Sequence, residues 1–578
     1  MKLELQKGSR SRTLAALLLV IMGVFVVRLF YLQIIQHSYY SGLADKEQIK
    51  RLTIPAKRGL IYALDGSKPV HLVMNEAVYT VFADPQTTND DGKIVDIIRQ
   101  VAGGNARPNL DSLLANKDSR YQILATKLSR TQADKIKADG LNGIGFQQES
   151  QRVYPEGSLA AQTLGFVDFE GNGQYGVEGK LNSRLLGKDG LLQSVTDVSD
   201  VPLTIGNRNI NQPAVDGDNI VLSIDRNVQS HAEQALADGV KRTGAKQASV
   251  IVMDPQTGRI MAMANLPTFN PAEFNKVQNG AVFNNATVSA PYEPGSDVKT
   301  LTMATGIDKG VVSADATYNN TDHIVIDDRT ISNATLGQTG TITFQHAMNY
   351  SLNTGFVTVA KRLGDGSSIT RGARDTMYDY FYNKFRLGQM TGVEVSGESA
   401  GILIPPTVAD GNAVKYSNMA FGQGLDATMV QMAAAFGSVV NGGNYYKPTV
   451  LAGIMSPDGT YKPSAVQKLG TTVTKSTSDQ IKDMTHVARA TFYTAVDKPG
   501  YIIGGKTGTS QDLVNGTYSD TQTTGTYLGY GGTDAPAYVI MVQVSGKNMN
   551  LQGARDALPV FTDISNWMID YLKLQPKG

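Results

Sequence analysis

The sequence predicts a mixed α/β (α+β) protein with one membrane-spanning helix, and three observations lead to this fold class. Residues 14–35 form an apolar stretch long enough to cross a bilayer as a helix. Strand-like runs then alternate with helically spaced segments, as at 78–82 and 94–101. Near the C-terminus, apolar residues recur at helical spacing over 558–572. With 578 residues and 41% apolar content, the chain is long enough for about two to four domains.

Composition excludes several classes of function. The formal net charge is +1 and no basic run occurs, so no nucleic-acid partner is predicted. The absence of cysteine excludes disulfides, cysteine catalysis and thiolate metal sites. Neither a metal site nor a cofactor is expected.

The N-terminal segment predicts a single-pass membrane protein. Residues 1–13 carry Lys2, Lys7, Arg10 and Arg12 against one acid, and this positive flank predicts a cytoplasmic tail. The anchor would then be 14–35, with the rest of the chain outside the cytoplasm. The alternative is a cleaved signal peptide whose apolar region is 14–27, and both interpretations export the remainder.

Two larger regions follow the anchor. Residues 36–235 show strand signals at 58–61 and 78–82 and helix signals at 94–101 and 132–137, without the spacing of a catalytic site. We interpret this region as a non-catalytic pedestal of mixed structure. The second domain is predicted at 236–578, and near its start lie a helix at 228–243 and a hairpin over 248–264. Threonine-rich segments at 471–478 and 521–526 are predicted to be loops.

The first candidate site is Ser296 with Lys299. Pro294-Gly295 signals a turn, and the apolar spacing that follows predicts a helix running to Gly306. Ser296 and Lys299 would lie on one face near the N-terminus of this helix. A serine needs a base to become a nucleophile, and burial can make a lysine neutral enough to serve. We therefore expect Ser296 to form an acyl intermediate with Lys299 as its base.

Two further motifs extend this site. Ser351-Leu352-Asn353 offers a hydroxyl and an amide after a helix-like segment at 344–350. Lys506-Thr507-Gly508 follows strand-like residues and offers an ammonium and a hydroxyl for a substrate carboxylate. Each motif alone is weak, but the order S-x-x-K, S-x-N, K-T-G closely matches a set known from β-lactamases and penicillin-binding proteins.

On these motifs the chain resembles the class B penicillin-binding proteins, which are membrane-anchored transpeptidases of bacterial cell-wall synthesis. The resemblance covers nearly the whole chain. In overall size the chain resembles the cell-division members of this family more than the elongation members. Besides the three motifs, it includes short stretches in a shared order, namely Arg58-Gly59-Leu60-Ile61, Arg152-Val153-Tyr154-Pro155, Gly176-Val177-Glu178-Gly179-Lys180, Asp254-Pro255-Gln256-Thr257-Gly258 and Gly422-Gln423-Gly424.

The resemblance implies a penicilloyl-serine transferase (serine β-lactamase-like) domain after a pedestal, or dimerisation-like, domain. Ser296 would attack the D-alanyl-D-alanine bond of a stem peptide or lipid-linked precursor, and Lys299 would take its proton. The backbone N–H groups of Ser296 and Thr509 would form the oxyanion hole. The resemblance also implies that Ser351 and Asn353 relay protons and hold the substrate amide. Lys506, Thr507 and Thr509 would bind the terminal carboxylate, with Gly508 as a further substrate-binding residue.

The resemblance also implies partners and inhibitors. β-Lactams should acylate Ser296. Because no glycosyltransferase domain precedes the site, glycan polymerisation would need a multi-spanning membrane glycosyltransferase within a division or elongation complex.

Asp297 is a departure from the resemblance, because a small or hydroxyl residue is expected beside the nucleophile. If Asp297 faces Lys299, it favours the charged lysine and opposes its role as base. If it points to the helix N-terminus, it stabilises the helix.

Two other classes of protein remain as alternatives. Gly397-Glu398-Ser399-Ala400-Gly401 matches the nucleophile elbow of α/β-hydrolases, with Ser399 as nucleophile, but Pro405-Pro406 argues against the helix that this motif requires. A non-enzymatic penicillin sensor would need a cytoplasmic output domain, and only 1–13 precede the anchor. A transpeptidase-like scaffold without turnover stays open because of Asp297.

Overall fold

The structure, a computed structural model, describes residues 9–41, 49–195, 210–514 and 517–577. The chain divides into two compact units, each of which combines separate segments of sequence. The first unit comprises Met1–Arg58 and Leu186–Gly217, and the second comprises Gly59–Leu185 and Asp218–Gly578.

Helices occur throughout the described residues. Their bounds are α1 Ser9–Phe30, α2 Asp91–Ala102, α3 Leu110–Ala115, α4 Arg130–Ala138, α5 Ala161–Leu164, α6 Gly176–Lys180, α7 Asn182–Leu186, α8 Arg226–Thr243, α9 Ala286–Ser289, α10 Lys299–Asp308, α11 Phe344–Asn349, α12 Asn353–Arg362, α13 Arg371–Tyr378, α14 Ala413–Met419, α15 Met429–Val440, α16 Lys475–Tyr493 and α17 Leu558–Tyr571.

The strands in chain order are β1 Ile49–Ile54, β2 Ile61–Asp65, β3 Lys68–Ala83, β4 Gln122–Leu128, β5 Ile144–Val153, β6 Phe166–Val167, β7 Gly173–Gln174, β8 Gly190–Val195, β9 Ile210–Gln212, β10 Asn219–Asp225, β11 Gln247–Met253, β12 Ile260–Leu266, β13 Thr317–Asn320, β14 His323–Ile326, β15 Arg329–Ser332, β16 Gly340–Thr343, β17 Asn444–Tyr446, β18 Leu451–Met455, β19 Tyr461–Pro463, β20 Lys468–Thr471, β21 Ile502–Val514, β22 Thr517–Gly532 and β23 Pro536–Ser545.

In the first unit, α1 continues into a π-helical turn at Tyr31–Ile35. Among the described residues, Arg10–Ile35 is the one helix long and apolar enough to cross a membrane. This helix coincides with the predicted anchor, whereas residues 1–8 of the predicted tail lie outside the described residues. A small antiparallel sheet in the order β1-β8-β9 joins the two chain segments of this unit.

The pedestal part of the second unit is built on a sheet in the order β19-β18-β10-β2-β3-β4, with β5 also pairing with β3. The predicted strand at 78–82 lies in β3, and the predicted helices at 94–101 and 132–137 are confirmed as α2 and α4. An apolar core between α2, α4 and the strands holds them together. Because β10 pairs with β18, which lies beyond residue 236, this sheet links residues on both sides of the predicted domain boundary.

The catalytic part is centred on an antiparallel sheet of five described strands in the order β12-β11-β23-β22-β21. The predicted hairpin is confirmed as β11 and β12, and the predicted terminal helix is confirmed as α17. One face of the sheet packs on α8 and α17, and the other packs on α15 and α16. The sheet is therefore the middle of three layers, and β21 forms one of its edges.

The predicted boundary between 235 and 236 falls within a continuous helix. Asp225 caps the start of α8 by accepting from the backbone N–H groups of Asn227 and Val228, and Gly244 ends the helix in the left-handed region. The apolar side of α8 packs in the core beneath β11 and β12.

Both threonine-rich loop predictions are wrong for most of their residues. In 471–478, Thr474 accepts from the Thr477 N–H as the N-cap of α16, so these hydroxyls begin a helix. Residues 521–526 belong to β22, where buried Thr524 and Thr526 donate to carboxylates. Threonine is a good strand residue, and its polarity concealed the strand.

Candidate active site

The predicted nucleophile lies where a short 3₁₀ turn, Gly295–Val298, leads into α10. Gly295 has φ +56°, and a Cβ atom there would lie 2.9 Å from the Thr509 carbonyl oxygen. A side chain at 295 would therefore be strained and would push the turn away from β21. The backbone around Ser296 consequently lies against the strand that carries Thr509.

Lys299 is buried and its amine reaches the predicted site residues on two other elements. The Nζ atom lies 2.9 Å from Ser296 Oγ and 3.1 Å from Ser351 Oγ. It also donates to the Ser351 carbonyl oxygen and to Asn353 Oδ1, both at 2.7 Å. A neutral amine that donates two hydrogens to these oxygens keeps its lone pair for the Ser296 hydroxyl.

The loop after α11 orients the acceptors around this amine. Ser351 has φ +57°, an uncommon conformation for a residue other than glycine, and both its carbonyl and its hydroxyl contact Lys299. Asn353 begins α12, and its Nδ2 donates to the Ser332 carbonyl at 2.8 Å. That bond fixes which amide atom faces Lys299.

The strand β21 forms the opposite wall of the site. Thr507 and Thr509 line one cavity of about 600 Å³ with Ser296, Lys299, Ser351 and Asn353. Lys506 is buried, and its Nζ donates to the Thr507 carbonyl at 3.0 Å and contacts the Thr507 hydroxyl at 3.3 Å. Because β21 is at the edge of its sheet, its outward backbone groups are available to a ligand.

Gly508 makes room for a side chain from the nucleophile turn. A Cβ atom at this position would lie 2.2 Å from Thr526 Oγ1 and 2.9 Å from Asp297 Oδ2. Thr526 is the cross-strand partner of Gly508, and its hydroxyl donates to Asp297 Oδ2 at 2.7 Å. Asp297 therefore packs over this strand pair, an arrangement that neither interpretation of Asp297 from the sequence anticipated.

Burial and neighbouring charges shift the pKa values of the three ionisable groups. Burial lowers the pKa of Lys299 far below its usual range, and the charge on Lys506 lowers it further. Burial also lowers the pKa of Lys506, which the charge on Asp297 opposes. Burial raises the pKa of Asp297, while the Thr526 hydroxyl and the charge on Lys506 lower it. Lys299 is thus the amine most easily held neutral.

A second cavity of about 400 Å³ adjoins the first beyond Lys506. The two cavities share Thr335, Tyr350, Ser351 and Thr507 in their walls. The second is bordered by aromatic side chains of α16, among them half-exposed Phe492, and by Arg489, which is paired with Asp497. The cleft therefore extends past the Lys506 end of β21.

The structure brings the three predicted motifs together in one cleft. The residues that the sequence did not single out are Thr526, which binds Asp297, and Ser332, whose carbonyl orients Asn353. The threonine and tyrosine content of 522–530, residue types that favour strands, was the available signal for Thr526. The Ser332 contact depends on tertiary packing and has no local sequence signal.

The alternative nucleophile Ser399 lacks the required geometry. Residues 385–412, all of which the structure describes, contain no helix, so no strand–turn–helix elbow forms around Ser399. The α/β-hydrolase interpretation is therefore wrong.

Comparison with known proteins gives the same class of fold and site. The family model described as the penicillin binding protein transpeptidase domain matches residues 248–566, more than half of the chain. The family model described as the penicillin-binding protein dimerisation domain matches residues 53–222.

Curated relatives match along almost the whole chain. Penicillin-binding protein PbpB of Mycobacterium tuberculosis is 30% identical, and the alignment covers 97% of this chain and 84% of the relative. Stage V sporulation protein D of Bacillus subtilis is 28% identical, with 98% and 87% covered. Peptidoglycan D,D-transpeptidase FtsI of Buchnera aphidicola is 25% identical, with 98% and 95% covered.

Solved structures share the fold. Penicillin-binding protein 2X from Streptococcus thermophilus matches with a TM-score of 0.74 at 22% identity, covering 91% of this chain and 80% of that one. Penicillin-binding protein 3 from Mycobacterium tuberculosis, in complex with aztreonam, matches with a TM-score of 0.68 at 24% identity, covering 91% and 98%. Fold and motifs together define a serine acyltransferase with a transpeptidase domain. The chain belongs to the class B penicillin-binding proteins.

Proposed function

We propose that this protein is a peptidoglycan D,D-transpeptidase that cross-links stem peptides through an acyl-Ser296 intermediate. The observation that carries this proposal is the contact of a buried amine, Lys299 Nζ, with Ser296 Oγ at 2.9 Å inside a cleft walled by the K-T-G strand. The relatives named peptidoglycan D,D-transpeptidase support the substrate class.

In the first half-reaction, Ser296 Oγ attacks the carbonyl carbon of the penultimate D-alanine. Its proton passes to neutral Lys299, whose other two hydrogens are held by the Ser351 carbonyl and Asn353 Oδ1. The C–N bond then breaks, and the departing amine takes a proton from Lys299, with Ser351 Oγ placed to relay it. Free D-alanine leaves and an ester to Ser296 remains.

Binding of the terminal carboxylate falls to β21. Lys506 supplies the positive charge, and the Thr507 and Thr509 side chains line the cavity beside Ser296. The close contact of Gly295 with the Thr509 backbone supports an oxyanion hole from the N–H groups of Ser296 and Thr509. Loss of one such donor typically costs about 3 kcal/mol.

In the second half-reaction, an amine of another stem peptide attacks the ester carbonyl and its proton passes to Lys299. The bond from this carbon to Ser296 Oγ breaks, and Lys299 returns the proton to Oγ, which restores both residues. The attacking amine must reach the position that the leaving amine vacated, which is on the Lys506 side of Ser296. The second cavity, which opens on that side, offers room for this acceptor.

We also infer that the enzyme is anchored by Arg10–Ile35 with its N-terminus in the cytoplasm and its catalytic part outside. A division (septal) role, and a glycosyltransferase partner in the membrane, follow the resemblance to the division-type members and the FtsI relative.

The test is intact-mass measurement after incubation with benzylpenicillin. We expect a single penicilloyl adduct on the wild-type protein and on Ser399→Ala, and none on Ser296→Ala. The Ser399 variant is the matched control, because it removes a serine hydroxyl elsewhere on the surface of the same part of the chain.

An adduct on Ser296→Ala would contradict the nucleophile assignment. A folded wild-type protein that forms no adduct would favour the scaffold alternative. That alternative rested on Asp297 facing Lys299, whereas Asp297 Oδ2 is bound by Thr526.

A further inference from the structure

Asp297 is buried beside the catalytic residues and has no role in the mechanism described so far. Its side chain is fully buried, and Oδ2 accepts the Thr526 hydroxyl at 2.7 Å. Its Oδ1 atom has no hydrogen-bond partner among the described residues. A carboxylate that is buried and half-satisfied is costly, so a nearby positive charge is needed to hold it ionised.

The charged neighbour of Asp297 is Lys506. Residues 506 and 508 are two apart in β21, so their side-chain positions share one face, and a Cβ atom at 508 would lie 2.9 Å from Asp297 Oδ2. The carboxylate therefore lies on the face of the strand that carries the Lys506 side chain. Among the described residues no direct ion pair joins the two groups, but each one's charge shifts the pKa of the other toward the ionised form. Gly508 leaves space for the Asp297 side chain and its cross-strand partner Thr526 binds it, so Asp297 packs against the face of β21 and β22 next to the Gly295–Val298 turn. Above neutral pH, Asp297 thus places a negative charge behind the anion-binding strand.

Other titratable groups face this pair from the surrounding elements. Tyr292 precedes the nucleophile turn, and burial together with the charge on Asp297 raises the pKa of its phenol, so it stays neutral. Lys299 lies on α10, where the charge on Lys506 lowers its pKa. Arg489 lines the second cavity with Lys506 and is already paired with Asp497.

We propose that Asp297 is a positioning residue whose buried carboxylate keeps Lys506 in the ammonium form that binds the substrate carboxylate. This inference rests on the proposed function. Asp297 also acts indirectly on Lys299, because the charge retained on Lys506 disfavours a proton on Lys299. The two lysines therefore differ in protonation state. The protein would thereby keep one buried amine charged and the other neutral in the same site.

The consequence is a distinctive pH dependence. Acylation requires Lys299 without its extra proton, which sets the acid limb, and Lys506 with its proton, which sets the alkaline limb. Removing the charge of Asp297 should move the alkaline limb to lower pH and leave the acid limb in place. Because burial raises the pKa of Asp297, the wild-type protein itself loses this charge in acid, where the variant and the wild type should converge.

The experiment measures the second-order rate constant of acylation by a fluorescent penicillin against pH, for the wild type and Asp297→Asn. Asparagine has nearly the same shape and can still accept from Thr526. We expect the alkaline limb of the variant to shift down by about one pH unit or more, since a neighbouring opposite charge shifts a pKa by about 1–3 units.

Three further variants separate charge from structure. Thr526→Val keeps the carboxyl but removes a hydrogen bond that lowers the pKa of Asp297, so its alkaline limb should lie between those of the wild type and Asp297→Asn. In a Lys506→Arg background, which has no titrating amine at 506, Asp297→Asn should produce no shift of the alkaline limb. If Asp297→Asn does not fold, as judged by thermal unfolding, Asp297→Thr supplies a second neutral side chain for the same measurement.

Superimposable profiles of the wild type and Asp297→Asn would overturn the inference, as would a shift of the acid limb alone, because Asp297 would then act on Lys299. An alkaline shift that persists in the Lys506→Arg background would also overturn it. Failure of the proposed function gives a different result, namely no adduct on the wild-type protein at any pH.

Discussion

The two lysines of the active site offer an internal comparison, because the same side chain is buried in two regions with different neighbours. Lys299, on the helix after the nucleophile, is surrounded by oxygen acceptors and by the positive charge of Lys506. Lys506, on the edge strand, has the negative charge of Asp297 behind it. Burial lowers both pKa values, so the neighbouring charge decides which amine acts as base and which as cation.

The largest expected effect comes from exchanging each lysine for arginine, which carries a charge but cannot act as a base. Lys299→Arg should lower the rate of acylation by penicillin by about 10²–10⁴-fold, the usual contribution of general base catalysis. Lys506→Arg should lower it by roughly tenfold or less, because the cation is retained. The experiment measures the acylation rates of the two variants and of the wild type, and thermal unfolding checks that each variant is folded.

Equal losses in the two arginine variants would contradict this division of roles. Such a result would mean that the shape of each lysine side chain matters more for acylation than its charge state.

A second prediction concerns the space that Asp297 occupies. Gly508→Ala places a Cβ atom 2.2 Å from Thr526 Oγ1 and 2.9 Å from Asp297 Oδ2, so the strand or the carboxylate must move. We expect a loss of about 1–3 kcal/mol in the free energy of unfolding, as for other overpacked sites, together with slower acylation. Chemical denaturation and penicillin labelling would measure the two effects.

The matched control is Gly470→Ala, another glycine in a strand, where a Cβ atom would meet nothing within 4 Å. If both variants keep wild-type stability and acylation, Asp297 is not held against Gly508 as described.

The comparison also shows what the sequence could and could not reveal. The order of Ser296, Ser351 and Lys506 predicted one cleft, because each motif sits where a turn, a helix start or a strand can be read locally. The neighbour of Lys506 could not be read in this way, because Asp297 reaches Thr526, which is 229 residues away in a segment predicted to be a loop. The first unit could not be predicted for a similar reason, because its strands β1 and β8 pair with each other although most of the pedestal sequence lies between them.

The smallest expected effect is on stability, and its sign follows from the raised pKa of Asp297, about 7 in the folded protein. An unfolded aspartate has a pKa near 3.9, so the folded state holds the proton more tightly and the ionised group destabilises it. The stability contributed by protonated Asp297 is therefore lost as pH rises from about 4 to about 7.

Asp297→Asn does not ionise, so its melting temperature should rise relative to the wild type across this window, by an amount equivalent to about 1 kcal/mol or more. A difference between Asp297→Asn and the wild type that stays constant from pH 4 to 7 would mean that Asp297 does not change its charge on the folded protein, and the contrast between the two lysines would then need another source.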